Sequence, residues 1–448
     1  MAKRILPIEF IDRLHKEFGP AAEDLIDQLI STEPAARTLR VLDNVDPYEI
    51  NGYENLGKVP WCESAQWFKR NTVDDASPIH HSPGYQVGAW HIQEASGLLV
   101  DYMLLKIRAM GFRMNLMLDA CAAPGGKTLT MLNYLPPMGL LVAAESQQDR
   151  LQTLMETVSR TGSPQVIVVN ASATDWGAVP NLWDGILVDM PCSGEGMFRK
   201  NQEAIKEWSL VKCESCSKIQ QSILESVVQS LQPGGWLIYS TCTYGFSENT
   251  ELLMPWVKKG ILKPMEIQIP EDWGFTLAST IDQRWPEGGS AWWALPGKIP
   301  GEGFFCAVLQ KARLRDLVPW NVSIDSAHQT AEKAALLKGH MPKNAKIVRD
   351  GLTPWMREGV PSQDLAHALG RRRTSELQAQ LDSQGFEWHE ISLEEPLATW
   401  YLQGQTLRMG ELQEGWNLMC YQGFGLGWMH KMGEKVTNYF PKSRRIKR

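Results

Sequence analysis

From Asn115 onward the chain repeats one local pattern, a short apolar run, a turn and a helix, and few architectures accept that order. The runs fall at 116–120, 140–144 (closed by Glu145), 166–169, 186–188 (closed by Asp189) and 236–240, with helices expected near 149–160 and 213–231. Strands alternating with helices of roughly 10–15 residues imply an α/β fold, a mostly parallel, doubly wound Rossmann-like sheet. Such sheets take their ligands at the carboxyl ends of the strands. The run at 303–309 reads as a later strand, antiparallel and at the sheet edge, after which this core closes near Lys311.

A prior of about 100–200 residues per domain divides 448 residues into two to four units. We expect an N-terminal α+β unit over 1–80, a Rossmann-like unit over 81–311, a connecting helical subdomain or linker over 312–375, and a compact mixed α/β unit over 376–448. In the first unit, Phe10, Leu14 and Phe18 share one face of a helix that Gly19-Pro20 stops, a second helix runs over 21–30, and 39–42 reads as a strand. Trp61, Trp67 and Phe68 suit base stacking or, more commonly, core packing. A loop at His80-His81 leads into a helix expected near 91–99.

Composition excludes several classes. No run approaches the roughly 18 uncharged residues of a membrane span, and acidic Glu9 and Asp12 argue against a signal peptide, so a cytoplasmic protein without a membrane partner is expected. The eight scattered cysteines fit a reducing compartment. Cys213-x-x-Cys216 lacks a second pair and His80-His81 lacks a third ligand, so no metal is expected. A net charge of −6 disfavours nucleic acid, yet Arg371-Arg372-Arg373 and the tail from Lys442 to Arg448 are locally basic, and local patches govern phosphate contact.

A glycine-rich turn after the first strand and an acid closing the second make a general nucleotide pocket, in which Gly125 and Gly126 permit close backbone approach and Glu145 can accept ribose hydroxyls. A dinucleotide would call for a Gly-x-Gly-x-x-Gly pattern, whose first Gly is absent. A Walker loop fits Gly126-Lys127-Thr128 but has Cys121 in place of its first Gly. S-adenosylmethionine carries no pyrophosphate, so the looser Ala122-Ala123-Pro124-Gly125-Gly126 turn suffices.

Two thiols close two adjacent strands: Asp189-Met190-Pro191-Cys192-Ser193-Gly194-Glu195-Gly196 and Ser240-Thr241-Cys242-Thr243. Carbon 5 of a pyrimidine is a poor nucleophile until a thiolate adds to carbon 6, so paired thiols beside a methyl-donor pocket suit covalent catalysis, with a carboxyl such as Asp189 assisting at the ring. The commoner role of a buried cysteine is that of a small hydrophobe. With the 119–128 turn, these motifs resemble the Sun-type (Fmu/nucleolar protein) RNA cytosine-5 methyltransferases. The resemblance implies that Cys242 is the nucleophile, that Cys192 assists product release, that Asp189 contacts base or cofactor, and that Ala122, Ala123, Pro124, Gly125, Gly126, Lys127, Thr128 and Glu145 hold S-adenosylmethionine.

The match extends to the bacterial RsmF-like branch through Leu6-Pro7-x-x-Phe10 and Gln93-Glu94-Ala95-Ser96, and through 400–405, 425–428 and 438–441, which look like its PUA-like RNA-binding unit. Small-subunit ribosomal RNA is the implied substrate, with transfer RNA the alternative, a non-catalytic RNA-binding assembly factor the alternative of another class, and a monomer expected. A DNA enzyme is disfavoured, since the Pro-Cys thiol would then be the nucleophile and the second cysteine would have no duty. The chain departs from the family at Met190, at 38–43, which lacks an Arg-x-Asn pattern, and at Asn170-Ala171-Ser172, where the family has Asp; there Ser172 is the expected adenine contact.

Overall fold

The computed structural model describes residues 5–31, 37–41, 53–70, 78–313, 337–349, 356–357, 360–369, 375–383, 385–407 and 409–446. Arg371-Arg372-Arg373, Pro319, Pro354, Asp43 and the last two residues of the basic tail lie outside them.

Four strands near the N-terminus, β1 (Arg37–Val41), β2 (Tyr53–Val59), β3 (Cys62–Arg70) and β4 (Trp90–Gln93), form an antiparallel sheet in the order β2-β3-β1-β4. The large sheet contains β5 (Leu116–Asp119), β6 (Leu140–Glu145), β7 (Val166–Asn170), β8 (Trp183–Asp189), β9 (Leu231–Thr241), β10 (Leu262–Pro264), β11 (Thr276–Leu277), β12 (Ala291–Ala294), β13 (Phe304–Lys311) and β14 (Lys346–Arg349). Its order is β11-β12-β13-β9-β8-β5-β6-β7-β14, with β10 beside β13. The run from β9 to β7 is parallel, as expected, and the flanking pairs are antiparallel.

Alternation assigns each strand residue to a face. Leu116, Leu118, Ile186 and Val188 join one hydrophobic cluster, whereas Met117 and Leu187 join the other. Both faces are therefore covered, and the parallel strands read as unbroken apolar runs. Helix Leu210–Ser230 covers the first face; helices Leu99–Ala109 and Gln148–Ser159 cover the second.

The structure corrects several expectations. β13 is antiparallel but lies inside the sheet, between β9 and β12; Phe305 to Leu309 are fully buried, and an apolar edge of that length would invite aggregation. Residues 90–93 are a strand instead of the start of a helix, because β1 has an open edge that they satisfy, Thr38 facing Gln93. Within 312–375, β14 pairs with β7, and helix Gln363–Ala368 shares a core with Leu418 and Trp428 of the C-terminal unit. Helix Leu210–Ser230 begins three residues early because the Ser209 side chain caps it, accepting from the Lys212 amide.

The stretch 1–80 has no single core of its own among its described residues. Helices Ile8–Phe18 and Ala21–Ile30 join the cluster of the large sheet; β1 to β3 divide between the cluster on the sheet's other face and one shared with the C-terminal unit. Trp61 and Phe68 are core residues. Arg40 is wholly buried, its guanidinium bonded to Asp101 (3.0 Å), Thr130 (2.7 Å) and Ser64 (3.1 Å), so it ties the small sheet to helices that cover the large one. In the C-terminal unit, strands His389–Leu393 and Gly415–Tyr421 pair in parallel, and Phe424–Met432 and Lys435–Asn438 continue the sheet antiparallel. No helix among the described residues is long and apolar enough to cross a membrane.

Phe10 shows how far the N-terminal helices belong to the core: it is fully buried, 5.1 Å from the Phe198 ring and 5.4 Å from Trp208. Phe10→Ala is expected to lower the unfolding free energy by about 3–5 kcal/mol, measured by urea denaturation.

Candidate active site

The parallel ladder of β8 and β9 sets Asp189 opposite Ser240, so both strands release their chains at the same end of the sheet. Cys192 and Cys242 follow within three residues, and their sulfurs lie 3.2 Å apart. Ser240 Oγ donates to Asp189 Oδ1 at 2.7 Å, and Lys127 Nζ, from the turn after β5, donates to Asp189 Oδ2 at 2.8 Å. Burial works to lower the Lys127 pKa, but Asp189 overrides it and holds the ammonium firmly charged. The hydrogen bond with Cys242, and then burial, keep the Cys192 proton on well above the usual thiol range.

A buried polar network clips the two thiol loops together. Glu195 accepts from Arg13 Nη2 (2.8 Å), Trp208 Nε1 (2.8 Å) and the Tyr244 amide (2.9 Å), while the Gly196 amide donates to the Cys242 carbonyl (2.8 Å). Glu248 accepts from the Ser193 amide (2.9 Å), Ser193 Oγ (2.6 Å) and Gln220 Nε2 (3.0 Å). Burial pushes Glu195 up, but Arg13 more than offsets this and holds it below the usual carboxylate range; without such a cation, burial pushes Glu248 up to about 7. Glu195, Glu248 and Cys213 bring possible ligand atoms within 4.8 Å of one another, but protein donors, Arg13 foremost, already meet the two carboxylates.

Beside the thiols lies a cavity of about 400 Å³, lined among others by Ala122, Ala123, Pro124, Gly126, Lys127, Asp189 and Cys242. Gly125 ends the turn at φ +108°, a left-handed conformation that favours glycine, and a Cβ there would stand 2.8 Å from Thr157 Cγ2. Thr128 is buried behind the turn, donating to Asp119 Oδ2 at 2.6 Å, and Asp119 Oδ1 is buried without a partner. Glu145 is buried at the end of β6, accepting from the Gln147 amide (2.9 Å) with Arg150 at 3.6 Å. Ser172 is otherwise engaged: its hydroxyl accepts from the Thr174 amide at 3.3 Å as a helix cap. Asn170 bonds the Glu145 and Ser146 carbonyls at 2.9 and 3.1 Å. Thus the turn residues, Lys127, Asp189 and Cys242 meet at one cavity, whereas Gly125, Thr128, Glu145, Ser172 and Cys192 stand outside its lining.

Sequence reasoning missed Arg13 and Glu248, and it quoted Glu195 and Ser240 only as motif letters. A signal for Arg13 was present, since it lies three residues after Phe10, at the margin of the apolar helix face.

Two measurements test this account. Arg13→Met would leave Glu195 buried without its cation, and a loss of about 3–5 kcal/mol is expected in urea denaturation. Burial pushes Asp119 up to about 7, well above the usual carboxylate range, so the folded state takes up a proton before the unfolded state does. Its contribution to stability therefore grows as pH falls from 7 towards 4, and Asp119→Asn is expected to flatten the urea-midpoint profile across that window.

The family of 16S rRNA methyltransferases RsmB/F matches over residues 111–310, and the RsmF PUA domain matches over 389–446. A ribosomal RNA small subunit methyltransferase F from Aeromonas hydrophila is 35% identical over 258 residues, 57% of this chain and 52% of the relative, so that match spans about half of the relative's length. Proteins of the same name from Enterobacter sp. (28% identical; 89% of this chain, 85% of the relative) and Erwinia tasmaniensis (26%; 97% and 96%) align over nearly the whole chain. A methyltransferase homologue from Pyrococcus horikoshii superposes with a TM-score of 0.54 at 25% identity, covering 68% of this chain and 94% of that one. NSun6 from the same organism shares the fold, with a TM-score of 0.56 at 19% identity over 69% and 99%. Residues 111–310, with the paired-thiol site on their Rossmann-like sheet, thus belong to the RsmB/F family of 16S rRNA methyltransferases of Sun/Fmu type, and residues 389–446 to the RsmF PUA domain.

Proposed function

We propose that the protein is an S-adenosylmethionine-dependent RNA cytosine-5 methyltransferase acting on small-subunit ribosomal RNA. The observation that carries this reading is the pair of thiols 3.2 Å apart at the ends of β8 and β9, beside the Lys127–Asp189–Ser240 chain and the cavity. The family matches and the names of the relatives support the ribosomal substrate, and the PUA domain supports RNA as the partner.

The residues suit the group the reaction needs. Backbone from Ala122 to Gly126 offers a cradle of small side chains, Glu145 offers a carboxylate to a ribose at the next strand end, and the cavity volume suits a nucleoside-sized molecule. S-adenosylmethionine supplies an electrophilic methyl group when bound there. Cys242 as thiolate adds to carbon 6 of the cytosine, forming a C–S bond and moving the electrons of the 5,6 double bond to carbon 5, which would then accept the methyl as its bond to the donor sulfonium breaks and a neutral thioether is left. Asp189, held by Lys127 and Ser240, orients the ring from a fixed position. The carbon 5 proton then passes to a water molecule acting as base while the C–S bond breaks, restoring the double bond and the Cys242 thiolate. Cys192, with its sulfur 3.2 Å from that of Cys242, assists the release.

Purified protein incubated with small-subunit ribosomal RNA or subunits and methyl-labelled cofactor is expected to form 5-methylcytidine. Cys242→Ala is expected to lose at least roughly 10⁴-fold in rate, as removal of a covalent nucleophile does; full activity would remove the mechanism. Cys192→Ala is expected to accumulate a covalent protein–RNA adduct on denaturing gels, and its absence would remove the release role.

A further inference from the structure

The cavity holds a carboxylate for which the reaction just described has no task. Glu302 stands immediately before Gly303 and Phe304 at the start of β13 and is only 3% exposed, yet neither of its oxygens has a hydrogen-bond partner. The nearest cations, Lys200 Nζ at 3.7 Å and Arg199 Nη1 at 3.9 Å, lie beyond hydrogen-bond distance. They balance the charge and leave the lone pairs open. Burial pushes the Glu302 pKa up, and the two cations oppose it. Folded proteins seldom leave a buried carboxylate unbonded without a reason.

The backbone that carries this group is held rigidly beside the nucleophile. The Glu302 amide donates to Glu94 Oε1 at 2.8 Å, and Ser96 Oγ donates to the Glu302 carbonyl at 2.6 Å. A Cβ on Gly303 would stand 2.1 Å from the Tyr244 hydroxyl, and one on Gly196 would stand 2.4 Å from the Gly303 carbonyl and 3.0 Å from that of Cys242. Glu302, Phe304, Asp189 and Cys242 therefore face one cavity from tightly packed loops. Three carboxylates line it. Asp189 is engaged by Lys127 and Ser240, and Glu94 by the amides of Gly97 and Glu302. Of the three, only Glu302 has both oxygens unbonded.

Cytosine and uracil differ at carbon 4, where cytosine carries an amine that donates and uracil a carbonyl that accepts. A group with acceptors alone pairs with the first and repels the second. We infer that Glu302 is the base-recognition residue, its carboxylate accepting a hydrogen bond from the carbon 4 amine of the target cytosine. The inference rests on the cytosine-5 reading above.

The test uses the full chain and three RNAs that differ only at the target base: cytosine, uracil, and pyrimidin-2-one, which lacks the carbon 4 substituent. Methyl transfer and gel-resolved adduct are measured for wild type, Glu302→Gln and Glu302→Asp, with urea denaturation as the folding control. Both variants are expected to lose roughly 10–100-fold in kcat/KM on the cytosine RNA, as the loss of one specific base contact does, and to lose little on the pyrimidinone RNA. Glu302→Gln, which can donate, is also expected to narrow the preference for cytosine over uracil. Equal losses on cytosine and pyrimidinone, in whichever variant folds, would mark Glu302 as structural and overturn the inference. If instead the wild type neither methylates nor traps any of the three RNAs, the cytosine-5 reading itself fails and takes this assignment with it.

Discussion

The parallel pairing of β8 with β9 is the constraint on which the site depends. Parallel strands release their chains at one end of a sheet, and the register that sets Asp189 against Ser240 delivers both thiols to that end. A slip of one residue would turn every side chain of a strand to the opposite face, and here both faces are filled, Val188 and Leu187 in separate clusters. Burial thus enforces the register, and the register aligns the chemistry.

Strand ends alone would leave two loops free to drift. Glu195 and Glu248 prevent this, because each bonds groups from both thiol loops or from the elements beneath them. The arrangement requires a buried cation, and Arg13 supplies it from the N-terminal helix, passing so close to Gly245 that a Cβ there would stand 2.4 Å from Nη1. The same helix packs Phe10 and Phe18 against Phe198, Trp208, Phe246 and Trp293. The two N-terminal helices are in this sense part of the large sheet's core, and the thiol loops depend on them.

Much of the fold was legible because its signals are local. Apolar runs, turn residues and helix periodicity located the five parallel strands, and the 3.6-residue spacing of Phe10, Leu14 and Phe18 located the first helix with the face it buries. Three of the misreadings share a cause, since each was decided by strand pairing with another segment, whereas the early start of helix Leu210–Ser230 was a local cap. Residues 90–93 became a strand by pairing with β1, 346–349 by pairing with β7, and β13 lost its edge to β12. The catalytic sheet therefore draws on residues well outside 81–311, and helix Gln363–Ala368 packs with residues beyond 376.

The site divides along the same line. The sequence by itself determined the chemical inventory, namely two thiols, Asp189 and a glycine turn at successive strand ends, because strand-terminal position and residue type are readable without a fold. Only the tertiary structure decided which groups meet: the sulfurs at 3.2 Å, Lys127 on Asp189, Arg13 beneath Glu195, Ser172 spent as a cap, and Glu302 facing the cavity with its oxygens unbonded. Distance, burial and hydrogen-bond saturation arise between segments far apart in the chain, 182 residues for Arg13 and Glu195, and no local pattern encodes them.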